Sequence, residues 1–216
     1  MTYDPDNQTS TVYNQLNLPQ EIVINNTSAK AKNYYTYSAT GVKLKVVSRS
    51  DESLQAIPIT ETRPGNDGLT AYKTTDYVAN FIYEDNNLKR ILVDNGYIEN
   101  NNYYFYVRDH LGNNRIVADS EGSVLQSVQY YPFGLEFAGG IGQSLQTYKY
   151  GGKELDSDHN LNLYDFVARQ MNHAVPRFTS IDPLAEKKPW PSPYAYGRNN
   201  PLRFIDPDGM DEWEIK

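Results

Sequence analysis

Hydrophobic and polar positions alternate with a period of two through the first two thirds of this chain, and the pattern breaks where prolines crowd in. Glu21-Ile22-Val23-Ile24, Val42-Lys43-Leu44-Lys45-Val46 and Arg115-Ile116-Val117 alternate, or run as short β-branched bursts, between Asn, Gly and Asp. That is the signature of half-buried strands joined by turns. No stretch sustains a 3.6-residue period over three turns, so the regular part is read as sheet.

Aromatic-x-aromatic triplets sit on this alternation: Tyr35-x-Tyr37, Phe81-x-Tyr83, Tyr104-x-Tyr106, Tyr148-x-Tyr150 and Tyr194-x-Tyr196. Their spacings fall near multiples of about 23 residues, enough for two strands and two turns. The first three are each followed by a polar turn (Ser38 to Gly41, Glu84 to Asn87, Arg108 to Gly112) and a strand carrying Leu44, Ile91 or Ile116. The unit is therefore a hairpin that adds to its neighbours in one sheet. Aromatics two apart share a face, so the triplets predict a stripe of rings across it. Sheet packing is the first reading of that stripe. Stacking against sugars, as in a cell-surface carbohydrate-binding module, is an alternative.

The stretch from Ile57 to Asp76, with Pro58, Pro64, Gly65 and Gly68, predicts a long loop between hairpins. Tyr130-Tyr131-Pro132-Phe133-Gly134 and the Gly139-Gly140-Ile141-Gly142 cluster end the regular part, and Tyr148 to Leu155 predicts another short hairpin. From Leu161 to Gly209 the chain carries seven of its 12 prolines and two Asp-Pro pairs, Asp182-Pro183 and Asp206-Pro207. Proline fixes φ, removes a donor and pushes its predecessor toward extended backbone, so this segment is rigid but irregular. Asp182-Pro183 followed by Leu184 to Lys188 places an N-cap acid, a proline at the first helical position and good helix formers in order, predicting a short helix. The expected fold is all-β: a twisted antiparallel strip of β-hairpin repeats, then an irregular proline-rich segment with one or two short helices. The expected organisation is 1–76, 77–147 and 148–216.

Composition changes the picture in two ways. With 19 Tyr against 7 Phe and 2 Trp, much of the buried area comes from rings that carry a hydroxyl, which suits a wet, two-sided sheet. A net charge of −7 and the absence of any Lys/Arg run oppose nucleic-acid binding. There is no cysteine, hence no disulfide and no thiolate site. Neither a signal-peptide pattern nor an apolar run long enough to span a membrane is expected here, although a longer parent chain is compatible with export.

The Tyr-x-Tyr hairpin units resemble the YD repeats of RHS proteins. The passages from Tyr104 to Asp119, Tyr130 to Gly134, Tyr148 to Asp156 and Asp182 to Gly209 resemble the bacterial RHS repeat-associated core. The resemblance is specific over Tyr77 to Gly209 and more diverged before it. It implies a strip that in longer members spirals into a hollow shell around a C-terminal toxin, with the core domain plugging one end. Its implied setting is secreted or cell-surface, within a longer bacterial protein, and its implied partners are the toxin or other segments of that chain. Exposed sheet edges also predict self-association.

Two departures stand out. Where the family reads A-R-x-Y-D-P-x-x-G-R-F, this chain has Ala168-Arg169-Gln170-Met171-Asn172-His173-Ala174-Val175-Pro176-Arg177-Phe178, and only Asp211 to Lys216 follow the D-P-x-G-Φ ending Asp206-Pro207-Asp208-Gly209-Met210. Some shell-forming relatives resemble aspartyl autoproteases that cut past this ending, which places the junction here at Met210 and Asp211, with Asp182 as the first catalytic aspartate. Two close carboxylates that share one proton supply a base and an acid. The second acid is expected between the two Asp-Pro pairs, where Glu186 alone stands, so Asp182 is read as a cap and Asp206, Pro207, Asp208 and Gly209 as a structural turn. The chain is accordingly expected to be a non-enzymatic shell or plug fragment. No cofactor or metal is expected: Asp156 to Asn160 lacks the glycine and glutamate of a calcium loop, and His110, His159 and His173 stand apart.

Overall fold

The computed structural model describes residues 2–4, 8–26, 30–51, 68–137, 140–142 and 145–215. The chain is all-β. Twelve strands follow one another as hydrogen-bonded neighbours in sequence order: β1 (Thr2–Asp4), β2 (Thr9–Tyr13), β3 (Pro19–Asn25), β4 (Lys30–Tyr37), β5 (Lys43–Ser50), β6 (Ala71–Val78), β7 (Phe81–Glu84), β8 (Asn87–Val93), β9 (Gly96–Glu99), β10 (Asn102–Arg108), β11 (Asn114–Asp119) and β12 (Val124–Ser127). The order of a pure meander follows from the turns. Asp85-Asn86 and Asn100-Asn101 have positive φ at both residues, the conformation that a two-residue hairpin needs and that Asn and Asp tolerate best.

A second kind of turn recurs. The Asp109 carboxylate accepts the amides of Leu111 and Asn113, both at 3.0 Å, and the Asp119 carboxylate those of Glu121 and Ser123 at 3.0 and 2.8 Å. The Ser38 hydroxyl does the same for Thr40 and Val42. Each time a glycine with φ near +85° (Gly41, Gly112, Gly122) closes the loop. These side chains replace backbone partners that a longer turn leaves unpaired.

By compactness the chain divides into two units, 1–89 with 158–161, and 90–157 with 162–216. In the first, Ile22, Ile24, Ala31 and Tyr35 are buried along β3 and β4. The predicted loop from Ile57 to Asp76 is corrected at its C-terminal part. Residues 71–76 belong to β6, which pairs with β5 from Ala71↔Ser50 to Asp76↔Lys45, because Tyr72, Thr74, Thr75 and Tyr77 carry strand preference once past the glycines. Residues 52–67 lie outside the described part. At the 158–161 tip, Asp158 lies 3.2 Å from the Lys73 ammonium and His159 Nε2 lies 3.2 Å from Ser48 Oγ, so the calcium-like stretch forms a turn.

The second unit continues the meander through β12 and adds a four-stranded antiparallel sheet of β13 (Glu154–Asp156), β14 (Leu163–Asp165), β15 (Gln170–Asn172) and β16 (Arg177–Phe178), then a two-stranded ribbon of β17 (Phe204–Ile205) and β18 (Trp213–Glu214). Its core is aromatic: Tyr150, Tyr164, Phe166, Phe178 and Tyr196 pack with Leu155 and Met171. Buried tyrosines need partners for their hydroxyls. Tyr150 donates to the Pro132 carbonyl at 2.8 Å, Tyr164 to Gly134 at 3.2 Å and Tyr130 to Asn114 at 2.9 Å. These bonds anchor the Tyr130 to Gly134 turn on the core. On the meander, Tyr97 stacks on Tyr104 with ring centroids 4.7 Å apart, and the Arg90 guanidinium lies over Tyr97. Here the ring stripe packs on itself.

The helix expected from Asp182 onward is a single 3-10 turn, Ala185–Lys187. Pro189 and Pro191 follow within four residues of it, leaving no length for an α-helix.

Candidate functional site: a buried arginine and two aspartates

The β14–β15 hairpin turns through Phe166, Val167 and Ala168. The Asp165 carboxylate accepts the Val167 amide at 2.8 Å, Phe166 N–H donates to the Arg169 carbonyl at 2.9 Å, and Val167 takes φ +71°. This geometry sends Arg169 inward, where its side chain is 0% exposed.

Every part of the guanidinium is used. Nε donates to the Gly209 carbonyl at 2.5 Å, Nη1 to the Pro193 carbonyl at 3.1 Å, and Nη2 to Asp182 Oδ2 at 3.2 Å and Asp206 Oδ2 at 3.1 Å. The ring of Phe178 lies 3.6 Å from the guanidinium carbon. Five donors in a rigid fork suit a site where carbonyls and carboxylates converge on one plane.

Each aspartate is also bound by backbone. Asp206 Oδ1 accepts the amides of Gly209 at 2.7 Å and Met210 at 3.0 Å, folding Asp206 to Met210 into a tight turn. Gly209 has φ +78°, and a Cβ there would lie 2.9 Å from the Phe166 carbonyl oxygen and 3.1 Å from Arg169 N. The D-P-x-G pattern therefore fits this place because the backbone passes directly over the arginine hairpin. Asp182 Oδ1 accepts the Leu184 amide at 2.7 Å, and the Asp182 carbonyl accepts the Ala185 amide at 3.0 Å. Lys188 stands at the end of that turn. Its ammonium lies 2.5 Å from the Met210 carbonyl oxygen, 3.1 Å from Asp211 Oδ1, 3.3 Å from Glu212 Oε2 and 3.8 Å from Asp182 Oδ2.

Burial pushes the Asp206 carboxyl up from 3.8 to about 6; the Arg169 charge and the Gly209 amide pull it back only in part. Burial lowers the Arg169 pKa, with Asp182 and Asp206 opposing. The Lys188 ammonium is held above its ordinary value: desolvation lowers it, but Asp211, Glu212 and Asp182 outweigh that. The site thus sets a carboxyl whose pKa is raised to about 6 beside a second carboxyl, on one guanidinium. Such a pair can act as acid and base on water.

The structure brings Asp182 and Asp206 together, with Pro207, Asp208 and Gly209 forming the turn that leads from Asp206 to Met210, where the sequence placed a junction with Asp211. Glu186, the lone acid between the two Asp-Pro pairs, is exposed on the 3-10 turn and does not join them. The acid that meets Asp182 is Asp206, because the two Asp-Pro pairs converge on the Arg169 side chain. Arg169 was the residue missed. Its signal is that Ala168-Arg169 persists, with Arg177-Phe178, in a motif that has lost its Tyr-Asp-Pro and its Gly. Lys188 and Glu212 carry no motif at all.

The histidines do not gather. His110 is exposed, His159 faces Ser48, and His173 packs edge-on against Tyr164 at 5.3 Å with its pKa lowered by burial. Among the described residues no group of three His, Cys, Asp or Glu is placed to hold a metal ion, and no helix is long and apolar enough to cross a membrane.

By fold and site the chain is a meander of β-hairpins followed by an irregular segment tied to a buried arginine. No family model matches it. Among curated proteins it is 34% identical over 117 residues to salivary gland surface protein 1 of Aedes aegypti, 30% identical over 129 residues to the tRNA3(Ser)-specific nuclease WapA of Bacillus spizizenii, and 35% identical over 96 residues to the toxin subunit YenC2 of Yersinia entomophaga. The aligned regions cover 53%, 55% and 43% of this chain but only 3%, 5% and 10% of those proteins. Among solved structures, TcdB2-TccC3 superposes with a TM-score of 0.69 over 94% of this chain, at 20% identity, and the Photorhabdus luminescens Tc holotoxin pore with 0.70 over 96%, each match covering 10% of the larger chain. The chain has the same fold as the matched part of the TcdB2-TccC3 structures.

Proposed function

We propose that this chain is the closing segment of an RHS shell, a strip of wall ending in a plug that fixes where the polypeptide leaves, and that in a longer protein it contains or presents a C-terminal toxin used in bacterial competition. One observation carries the reading: the exit turn Asp206 to Met210 is tied to the buried Arg169 through Asp206 Oδ2 and the Gly209 carbonyl. A segment held this way leaves from a defined point. The partners are other segments of the same longer chain and the polypeptide that follows. Its relatives include a toxin subunit and a tRNA-specific nuclease, of which this chain matches a small part, which supports that placement. The test is limited proteolysis of the longer parent. Polypeptide downstream of Lys216 should resist cleavage in the native state and lose that resistance in Arg169→Met; equal digestion of both would remove the reading.

A second reading, self-cleavage between Met210 and Asp211 by the aspartyl pair, is favoured by the convergence of Asp182 and Asp206 on one nitrogen. A chain extended after Lys216 with a passenger domain tests it by intact mass. A native chain that loses the passenger with its new C-terminus at Met210, while Asp206→Asn stays whole, supports the reading; an uncut native chain from acid to neutral pH ends it.

A further inference from the structure

The peptide bond that follows the exit turn carries a cation on its carbonyl. Lys188 Nζ lies 2.5 Å from the Met210 oxygen, and its side chain is only 14% exposed. The turn that begins at Asp182 accounts for this. The Asp182 carboxylate opens it by accepting the Leu184 amide, and the Lys188 amide closes it by donating to the Ala185 carbonyl at 3.1 Å. One short turn thereby aims an acid and an ammonium at the same exit segment. Glu212 holds the ammonium from the other side. Its side chain is 3% exposed, 3.3 Å from Lys188 and 3.7 Å from the Arg198 Nε.

We propose that Lys188 is the electrophile of a hydrolytic step at the Met210–Asp211 bond and that Glu212 is its positioning residue, an inference that rests on the self-cleavage reading. The step balances with water alone. The ionised member of the aspartyl pair takes a proton from water, and the water oxygen bonds to the Met210 carbonyl carbon. Negative charge gathers on the carbonyl oxygen, where Lys188 meets it. The protonated member then gives a proton to the Asp211 nitrogen as the C–N bond breaks. The products are a carboxylic acid at Met210 and an amine at Asp211. A fixed donor on the oxygen that becomes anionic acts in the transition state more than in the ground state. The ammonium suits the task because its carboxylate neighbours keep it charged wherever the acid pair operates.

The test is first-order cleavage of the passenger-extended chain, followed by intact mass, in the native chain, Lys188→Met, Lys188→Arg, Glu212→Gln and Asp206→Asn. Lys188→Met should cut on the order of 100-fold more slowly, as expected for loss of an oxyanion donor, and Lys188→Arg should recover most of that rate. Lys188→Met and Lys188→Arg should keep the native melting profile, which a merely structural role for the lysine would not allow. Glu212→Gln should slow cleavage less than Lys188→Met. A native chain that cuts and a Lys188→Met chain that cuts within twofold of it overturns the lysine role and leaves self-cleavage standing. A native chain that stays uncut overturns both.

Discussion

Asp206 offers the sharpest prediction, because its carboxyl is buried with a pKa near 6 while an unfolded aspartate ionises near 3.8. A raised acid pKa means that the folded chain holds this proton more tightly than the unfolded one. The resulting stability is present at low pH and is lost as the pH rises through about 6. At about 1.4 kcal/mol per tenfold change in affinity, the loss between pH 4 and pH 7 is roughly 2 to 3 kcal/mol. Asp206→Asn removes the titration and retains an oxygen to accept the Gly209 and Met210 amides. Urea unfolding of both proteins at half-unit steps isolates the group from all other titrations, since only the difference between them is read. The variant should gain roughly 2 to 3 kcal/mol on the parent from pH 4 to pH 7, most of it between pH 4 and pH 6, the interval between the unfolded and folded pKa values. A difference that stays level over that range would refute the buried, proton-holding carboxyl.

Three more outcomes follow from named contacts. Arg169→Met leaves two carboxylates without their guanidinium and the Gly209 and Pro193 carbonyls without a donor, so urea unfolding at pH 7 should show a loss of about 3–5 kcal/mol, with Arg169→Lys recovering only part because it lacks the planar fork. Gly96→Ala would put a Cβ 1.8 Å from the Tyr104 carbonyl oxygen, whereas Gly122→Ala meets nothing within 4 Å and suffers only from φ +86°; thermal unfolding should show the first as several-fold the more harmful, the second costing about 1–2 kcal/mol. If the passenger-extended chain cuts itself, its rate by intact mass should fall as the pH rises through about 6, where Asp206 loses its proton; a rate unchanged from pH 4 to pH 8 would contradict the acid role.

The strip was legible from local chemistry alone. Glu84 to Asn87 and Glu99 to Asn102 announce hairpins because two consecutive left-handed residues admit few side chains, and Asp109 to Gly112 announces a loop that its own carboxylate satisfies. Strand β6 was hidden because prolines and glycines before Gly68 dominate a window that also holds Tyr72 and Thr74. The proline-rich segment was legible as irregular but not as a site. Its proline spacing fixes backbone, whereas the meeting of Asp182 with Asp206 depends on Arg169, which comes from a different hairpin 13 residues before the first and 37 before the second. A search confined to the span between the Asp-Pro pairs excludes the partner by construction of the window. Tyrosines told the opposite story: their number forecast a wet sheet, yet Tyr150, Tyr164 and Tyr196 form the driest part of the plug, each at 2% exposure or less. The Pro132 and Gly134 carbonyls of the preceding turn make that burial tolerable for Tyr150 and Tyr164.

The claim that Arg169 and Asp206 latch the exit turn is tested most directly by amide hydrogen exchange at Gly209 and Met210, whose N–H groups both donate to Asp206 Oδ1. In the native chain these two amides should exchange as slowly as those of the β14–β15 hairpin, and Arg169→Met should release them at pH 7 while the amides of β10 and β11 stay protected. Exchange at Gly209 and Met210 as fast as in an unfolded chain would contradict the latch.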